Sequence, residues 1–288
     1  MDSIMYDYKS MKMSLDADIM LVLGVSGCMF LPFIRKKFKG KIITNIDGLE
    51  WKRDKWNPLA KWLLHYSEKQ AVKYSDVVIG DNKGITDYVK EAYKKDAVLI
   101  AYGGDHVTKI QDDSLYEKYP FMKNPYAVTV CRIEPENNVH KIIEAFSKMS
   151  EQQLVIVGNW KNSEYGANLK EQYSKFENIH LLDPIYESHE INWIRSNASL
   201  YVHGHSAGGT NPSLVEAMNF GLPILAFDCV YNRATTQDEC LYWSTEEDII
   251  DLVNNSESKF ASIASKMKEL GSKEYAWKKI AKQYNDLW

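Results

Sequence analysis

The sequence predicts an α/β protein of two domains, each a parallel sheet wound with helices. Three observations carry this. Short runs rich in Val and Ile alternate with longer helical patterns, the spacing of repeated β-α units. The alternation occurs twice, with a polar stretch lacking either period between the two series. The length, 288 residues, is close to that at which a single hydrophobic core stops growing.

In the first half the chain opens on a helical-looking "SIMYDYKSMKM". Strands then read as "DIMLVLGV", "KIITNID", "DVVIGD" and "AVLIAYG". Helices are expected near Phe30–Phe38, Pro58–Tyr74 and Lys83–Tyr93. Four strands are fewer than the six or so of a complete doubly wound domain. The stretch Thr108–Pro125 is expected to be the linker. In the second half strands read as "YAVTVCRI", "LVIVGN", "IHLLDPI", "SLYVHGH" and "PILAFD", with helices near Val139–Met149, Tyr165–Phe176, Ser188–Ser196 and Pro212–Asn219. After Asp228 the rhythm is expected to give way to helices alone, "EEDIIDLVNN", "SKFASIASKMKELG" and "SKEYAWKKIAKQYNDLW"; the last carries Trp277, Ile280, Ala281 and Tyr284 at helical spacing.

Composition narrows the functional classes. With 45% hydrophobic residues, 26% charged residues and a formal charge of −4, the chain is globular and too balanced to bind nucleic acid through overall charge. Cys28, Cys131, Cys229 and Cys240 are scattered without a CxxC pair, which suggests neither a zinc site nor a disulfide framework and fits a reducing cytoplasm. The apolar run "DIMLVLGVSGCMFLPFI" is broken by glycines, serine and proline before spanning length, so a soluble protein is expected.

The most informative stretch is "GGTNPSLVEA", Gly208–Ala217. It follows the strand "SLYVHGH". Pro212 suits a first helical position and Asn211 or a neighbour a cap, so a helix is expected to start at the carboxyl end of a parallel strand. The free N–H groups there, around Thr210 to Ser213, form a phosphate site, which Gly208 and Gly209 let an anion approach. Glu216, one turn in, is placed to accept hydrogen bonds from sugar hydroxyls. Phosphate and sugar together indicate a nucleotide.

"HGHSAGGTNPSLVEAMNFGLPILAFD" resembles the donor-nucleotide motif of GT-B retaining glycosyltransferases of family 4. Upstream, "TNIDGLEWKRDKW", "EKQAVKYSDVVIGDNKGITDYV" and "IAYGGDH" are similar to a subgroup of bacterial rhamnosyltransferases of polysaccharide assembly. The resemblance covers nearly the whole chain. It implies a GT-B fold of two Rossmann-like lobes, with residues 1–115 the acceptor lobe, 116–270 the donor lobe and 271–288 a helix crossing back to the first. It implies a first lobe lacking an opening β-α-β portion. It implies transfer of L-rhamnose from dTDP-rhamnose to a lipid-linked oligosaccharide acceptor, with retention, no metal and no other cofactor. Glu216 carries over as the ribose ligand. The second glutamate that relatives place eight residues earlier is Gly208 here.

Further candidates follow from the same comparison. Arg132 in "CRIEPENN" is expected to meet the donor diphosphate through its planar fork. Where relatives carry a lysine this chain has Asn137 and Asn138, and Asn137 joins the donor-binding set. Asp47 and Glu50 in "NIDGLEW" are candidates for contacting acceptor or donor sugar, against plain roles as turn former and helix cap partner. A carboxylate pair also suggests a glycoside hydrolase, which has no use for a diphosphate-binding helix. His203 and His205 share a strand face, but no third ligand is near; "DAD", Asp16–Asp18, has the form of a metal motif but lies before a strand instead of after one. His205 and Ser206 are expected to line the donor site, and "DPIYE" and "GNW" to frame the base. The basic cluster Arg35, Lys36, Lys37, Lys39 and Lys41 suggests a peripheral membrane contact, and "WKRDKW" a weaker patch of the same kind. The alternatives are a truncated or degenerate family member that binds nucleotide without turnover, a transferase using another UDP- or GDP-sugar, or a related sugar-nucleotide enzyme such as an epimerase or phosphorylase.

Overall fold

The computed structural model describes residues 2–53 and 56–288, and the chain divides into two compact units. The first runs to Tyr102 and includes Ala207–Thr210 and Lys278–Trp288; the second comprises Gly103–Ser206 and Asn211–Trp277.

The first unit opens with α1 (Asp2–Met13), β1 (Ile19–Leu23) and α2 (Leu31–Arg35), continues through β2 (Lys41–Asn45), α3 (Pro58–Tyr74), β3 (Val77–Gly80) and α4 (Lys83–Tyr93), and reaches β4 (Val98–Leu99). Its sheet has the order β1-β2-β3-β4, all parallel. Helix starts follow local chemistry. Asn57 accepts from the Ala60 N–H and is followed by Pro58 at the first helical position. Asn82 caps α4 by accepting from the Gly84 N–H. Each such cap satisfies a donor that has no partner inside the helix.

The second unit contains α5 (Leu115–Lys118), β5 (Tyr126–Val130), α6 (Val139–Ser147), β6 (Gln153–Val157), α7 (Glu164–Tyr173), β7 (Ile179–Leu182), α8 (Ser188–Ser196) and β8 (Leu200–His203), then α9 (Pro212–Phe220), β9 (Ile224–Phe227), α10 (Val230–Thr236), β10 (Leu241–Trp243), α11 (Glu246–Asn255) and α12 (Glu257–Glu274). The strand order is β10-β9-β8-β5-β6-β7, all parallel. Its core includes Ile142, Phe146, Ile156, Trp160, Val202, Leu225 and Trp243, all but inaccessible. A final helix, α13 (Trp277–Asn285), buries Ile280 in the first unit against Ile43, Ile79 and Ile100.

Three expectations change. The β-α rhythm does not end at Asp228: α10 and β10 extend it, with β10 pairing β9 in parallel. Three residues, "LYW", are too short a run to show a period. The stretch Thr108–Pro125 is packed on the second unit, where Tyr116 and Tyr119 meet the Trp193 ring at 5.0 and 6.2 Å and Met122 is buried. The contact division therefore falls after Tyr102, and the last eleven positions belong to the first unit. Finally, the last helix starts later than expected, since Ser272–Glu274 of the closing pattern finish α12 and α13 begins at Trp277.

Candidate functional site

The strand order of the second unit reverses direction between β5 and β8, and in open α/β sheets ligands bind at the carboxyl ends of the strands at such a switch point. Two loops leave the sheet there, Cys131–Asn138 after β5 and Gly204–Ser206 after β8. They are stitched together. The Asn138 side chain donates to the Gly204 carbonyl at 2.8 Å, the Ser206 N–H to the Glu136 carbonyl at 2.9 Å, and His205 Nδ1 lies 2.7 Å from Asn137 Oδ1. The remaining amide of Asn137 donates to the Arg132 carbonyl at 2.7 Å. Asn137, His205, Ser206 and Arg132 are thus brought together. Asn137 is buried, and both ends of its amide serve the loops. The Arg132 side chain is 62% exposed, with Nε 3.7 Å from Glu134, so its fork stays open to an anion.

Helix α9 starts at this edge as the sequence predicts. Asn211 caps it, accepting from the Ser213 N–H at 2.9 Å, and Pro212 occupies its first turn. Glu216 is fixed from two sides. Arg195, on α8, places Nη2 2.7 Å from Oε2, with the two side chains only 8% and 14% exposed. His106 Nε2 lies 3.1 Å from Oε1. The Trp277 indole donates to His106 Nδ1 at 3.2 Å, so Nε2 carries the ring proton and donates to Glu216. Sequence reasoning missed both partners. Arg195 sits in "NWIRS" as an ordinary helix residue, and His106 belongs to the quoted "IAYGGDH" without a role.

His203 ends β8 fully buried. Burial first, and the neighbouring His205 second, push its imidazole down to about 3, so it is neutral. Its ring centroid is 6.2 Å from that of His205. Among the described residues no group of three or more His, Cys, Asp or Glu gathers as metal ligands would. Trp160 of "GNW" is fully buried and donates to the Leu182 carbonyl at 2.8 Å, so it belongs to the core and presents no ring face to a base.

In the first unit, the register aligns Asn45 with Ile79, which puts the residues two positions further on, Asp47 and Asp81, at neighbouring strand ends. Asp47 has φ 56° and its N–H donates to Asn45 Oδ1 at 2.9 Å, a turn-forming role. Its carboxylate accepts from the Tyr102 hydroxyl at 3.3 Å. Asp81, not anticipated, is buried; burial, then the charge of Asp47, push its carboxyl up to about 7. The segment Ala207–Thr210 lies with these residues: the Thr210 N–H donates to Asp81 Oδ2 at 3.1 Å. Gly208 has φ +100° and Gly209 is so close to the Asp81 carboxyl that a Cβ there would collide with it. Glu50 accepts from Arg53 at 2.9 Å and lines an apolar cavity of ≈ 570 Å³ with Val25, Trp56, Leu59, Leu63 and Leu64.

Of the basic cluster, Arg35 is held by Asp76 at 3.0 Å and by the Gly40 carbonyl, and Lys41 by the Leu287 carbonyl. Lys36, Lys37 and Lys39 remain exposed. In "WKRDKW", Asp54 and Lys55 lie outside the described residues; Trp51 donates to Glu68 at 3.0 Å. Among the described residues no helix is long and apolar enough to cross a membrane.

A family model described as Glycosyl transferases group 1 matches residues 111–257, half of the chain. The chain belongs to this family. A second model, described as Domain of unknown function (DUF1972), matches residues 3–105. No curated protein matches the sequence. Among solved structures, this glycosyltransferase is similar to HepE (Alr3699) of Anabaena in complex with UDP, at TM-score 0.82 and 14% identity over 97% of this chain and 80% of that one. It is similar to sucrose-phosphate synthase of Thermosynechococcus elongatus, at TM-score 0.80 and 15% identity over 97% and 75%. A glycosyltransferase from Rickettsia africae gives 0.75 and 14% over 99% and 80%. The fold is GT-B, with two Rossmann-like lobes on parallel sheets.

Proposed function

We propose that this glycosyltransferase takes a nucleotide-activated sugar as donor, binding the diphosphate at the N-terminus of α9 and the ribose at Glu216. The observation that carries this is the seating of Glu216 between Arg195 and His106 on a helix capped by Asn211 at the switch point. A carboxylate held at fixed orientation accepts sugar hydroxyls without first paying to order itself. HepE, similar in fold, has been solved with UDP and with UDP-glucose.

The donor we assign is dTDP-L-rhamnose, from the resemblance of "TNIDGLEW" and "VVIGDNKGITDYV" to rhamnosyltransferases, and the acceptor a lipid-linked saccharide of surface polysaccharide assembly. The apolar cavity beside Glu50 supports an acceptor with an apolar portion, and exposed Lys36, Lys37 and Lys39 support a peripheral contact with an anionic membrane. Chemically, Arg132, the α9 N–H groups and Ser213 stabilise the negative charge that develops on the leaving diphosphate. The bond from the sugar C1 to the phosphate oxygen breaks as the bond to the acceptor oxygen forms on the same face. The acceptor's proton passes to the departing phosphate. Asp47 and Glu50, in the first unit, are the candidates for contacting acceptor or donor sugar.

Calorimetric titration of dTDP, UDP and GDP against the wild type and Glu216→Ala tests this. Selective dTDP binding weakened at least tenfold by the substitution is the expected result. Preference for UDP or GDP would reassign the donor, and no binding of any nucleotide would overturn the reading.

A further inference from the structure

The first unit holds a carboxyl that the reaction scheme leaves unused. Asp81 follows β3 at its carboxyl end, is 1% exposed, and its Oδ1 has no hydrogen-bond partner. The space where a donor to Oδ1 would sit is taken by Gly209. Its other oxygen and its carbonyl both hold one residue: the Thr210 N–H donates to Oδ2 at 3.1 Å and the Thr210 hydroxyl to the Asp81 carbonyl at 2.5 Å. The next residue, Asn82, donates to the same hydroxyl at 3.3 Å while its Oδ1 caps α4. Gly48 also packs against the turn, where a Cβ on Gly48 would come within 2.7 Å of the Gly208 Cα.

We propose that Asp81 is a positioning residue, the post on which the glycine-rich turn Ala207–Thr210 is docked, and that docking requires its carboxyl to hold a proton. The second part follows from the groups around it. A carboxylate needs donors at both oxygens when it is out of water. Asp81 has one side-chain oxygen served, and it faces the carboxylate of Asp47 and the phenols of Tyr102 and Tyr284, none of which supplies positive charge. The neutral acid removes the repulsion from Asp47 and the larger cost of a buried charge, leaving one uncharged polar atom without a partner. Its pKa, pushed up to about 7, agrees. Loss of the proton therefore favours a state in which the carboxylate is exposed and the turn is released. Since the turn leads directly into the Asn211 cap of α9, its release loosens the chain entering the helix at whose N-terminus the diphosphate is proposed to bind. This last link rests on the donor reading above.

Two readouts separate the post from the donor site. Amide hydrogen exchange of Thr210, corrected for intrinsic rate, is expected to be at least tenfold faster in Asp81→Ala than in the wild type, and to be restored within about threefold by Asp81→Asn, which mimics the neutral acid. The ratio of nucleoside diphosphate affinity in the wild type to that in Asp81→Asn is expected to fall as pH rises through 7, the ionisation of the nucleotide itself being common to both. Thr210 protection unchanged in folded Asp81→Ala, or Asp81→Asn with the wild-type pH profile, would overturn the proposal. If Asp81→Ala does not fold, the pH dependence of Thr210 exchange in the wild type against Asp81→Asn decides. A wild type that binds no nucleotide would remove the donor reading but leave the exchange comparison to judge the post.

Discussion

Arg195 and Glu216 form a buried ion pair, 2.7 Å apart, that joins α8 to α9. The Arg195 Nε has no partner, so this pair is the main compensation for a guanidinium out of water. Removing one member of a buried pair typically costs about 3 to 5 kcal/mol because the other charge stays buried. Arg195→Met is therefore expected to weaken nucleotide binding through misorientation of Glu216, and Glu216→Gln to destabilise the fold as well as the complex. A double-mutant cycle on urea midpoints should return a coupling above about 1 kcal/mol; additive effects would show that the pair is not coupled.

His203 gives the protein an acid-sensitive point. Its folded-state pKa, about 3, lies below the unfolded value near 6.5, so the folded state resists the proton that the unfolded chain accepts. Stability contributed by the neutral ring is present above pH 6.5 and falls as pH drops from there toward 3, by on the order of 4 kcal/mol. In His203→Phe that part of the acid sensitivity should vanish. Thermal melts of both proteins between pH 4 and 8 should converge at the upper end and diverge toward the lower.

The Asn211 cap separates helix stability from anion recognition. Asn211→Ala removes the acceptor for the Ser213 N–H and is expected to cost about 1 kcal/mol. Asn211→Asp keeps the cap but puts a negative charge where the diphosphate is proposed to sit. That variant should melt like the wild type and bind nucleoside diphosphate at least tenfold more weakly; equal affinity would place the diphosphate elsewhere.

Ile280 is 2% exposed against Ile43, Ile79 and Ile100. Ile280→Ala is expected to cost about 2 to 5 kcal/mol, the usual range for a buried aliphatic truncated to alanine. Chemical denaturation followed by the α13 residue Tyr284 and by a probe in the second unit would show the loss confined to the first unit.

Much of the architecture was legible because local rules set it. Pro58 and Asn57, Asn82, and Pro212 with Asn211 mark helix starts that the structure keeps, and "SHEINWIRS" has the bounds of α8. β10 was illegible because three residues of strand carry no period, and its identity as a strand comes from pairing with β9. In the candidate site, Glu216 and the capped helix could be read from the spacing within "GGTNPSLVEA". Arg195, His106 and Asp81 could not. Their partners are distant in sequence, 110 positions in the case of His106 and Glu216 and 129 for Asp81 and Thr210. A lone "VIGDN" shows an acid after a strand, which is the only local sign of Asp81's place at the carboxyl end of β3.

The first unit is discontinuous along the chain, and this sets an order of assembly during synthesis. Its four described strands are all made by β4, yet the cover of the Ile43, Ile79 and Ile100 cluster comes from the last helix, with Gln283 meeting Leu99 across 184 positions and Lys41 meeting Leu287 across 246. Loop closure over such distances is slow. The half made first on the ribosome therefore finishes folding last, after the second unit, which is assembled from a nearly continuous stretch, has had time to form. Until then the nascent sheet keeps an apolar strip open to chaperones and to its own kind.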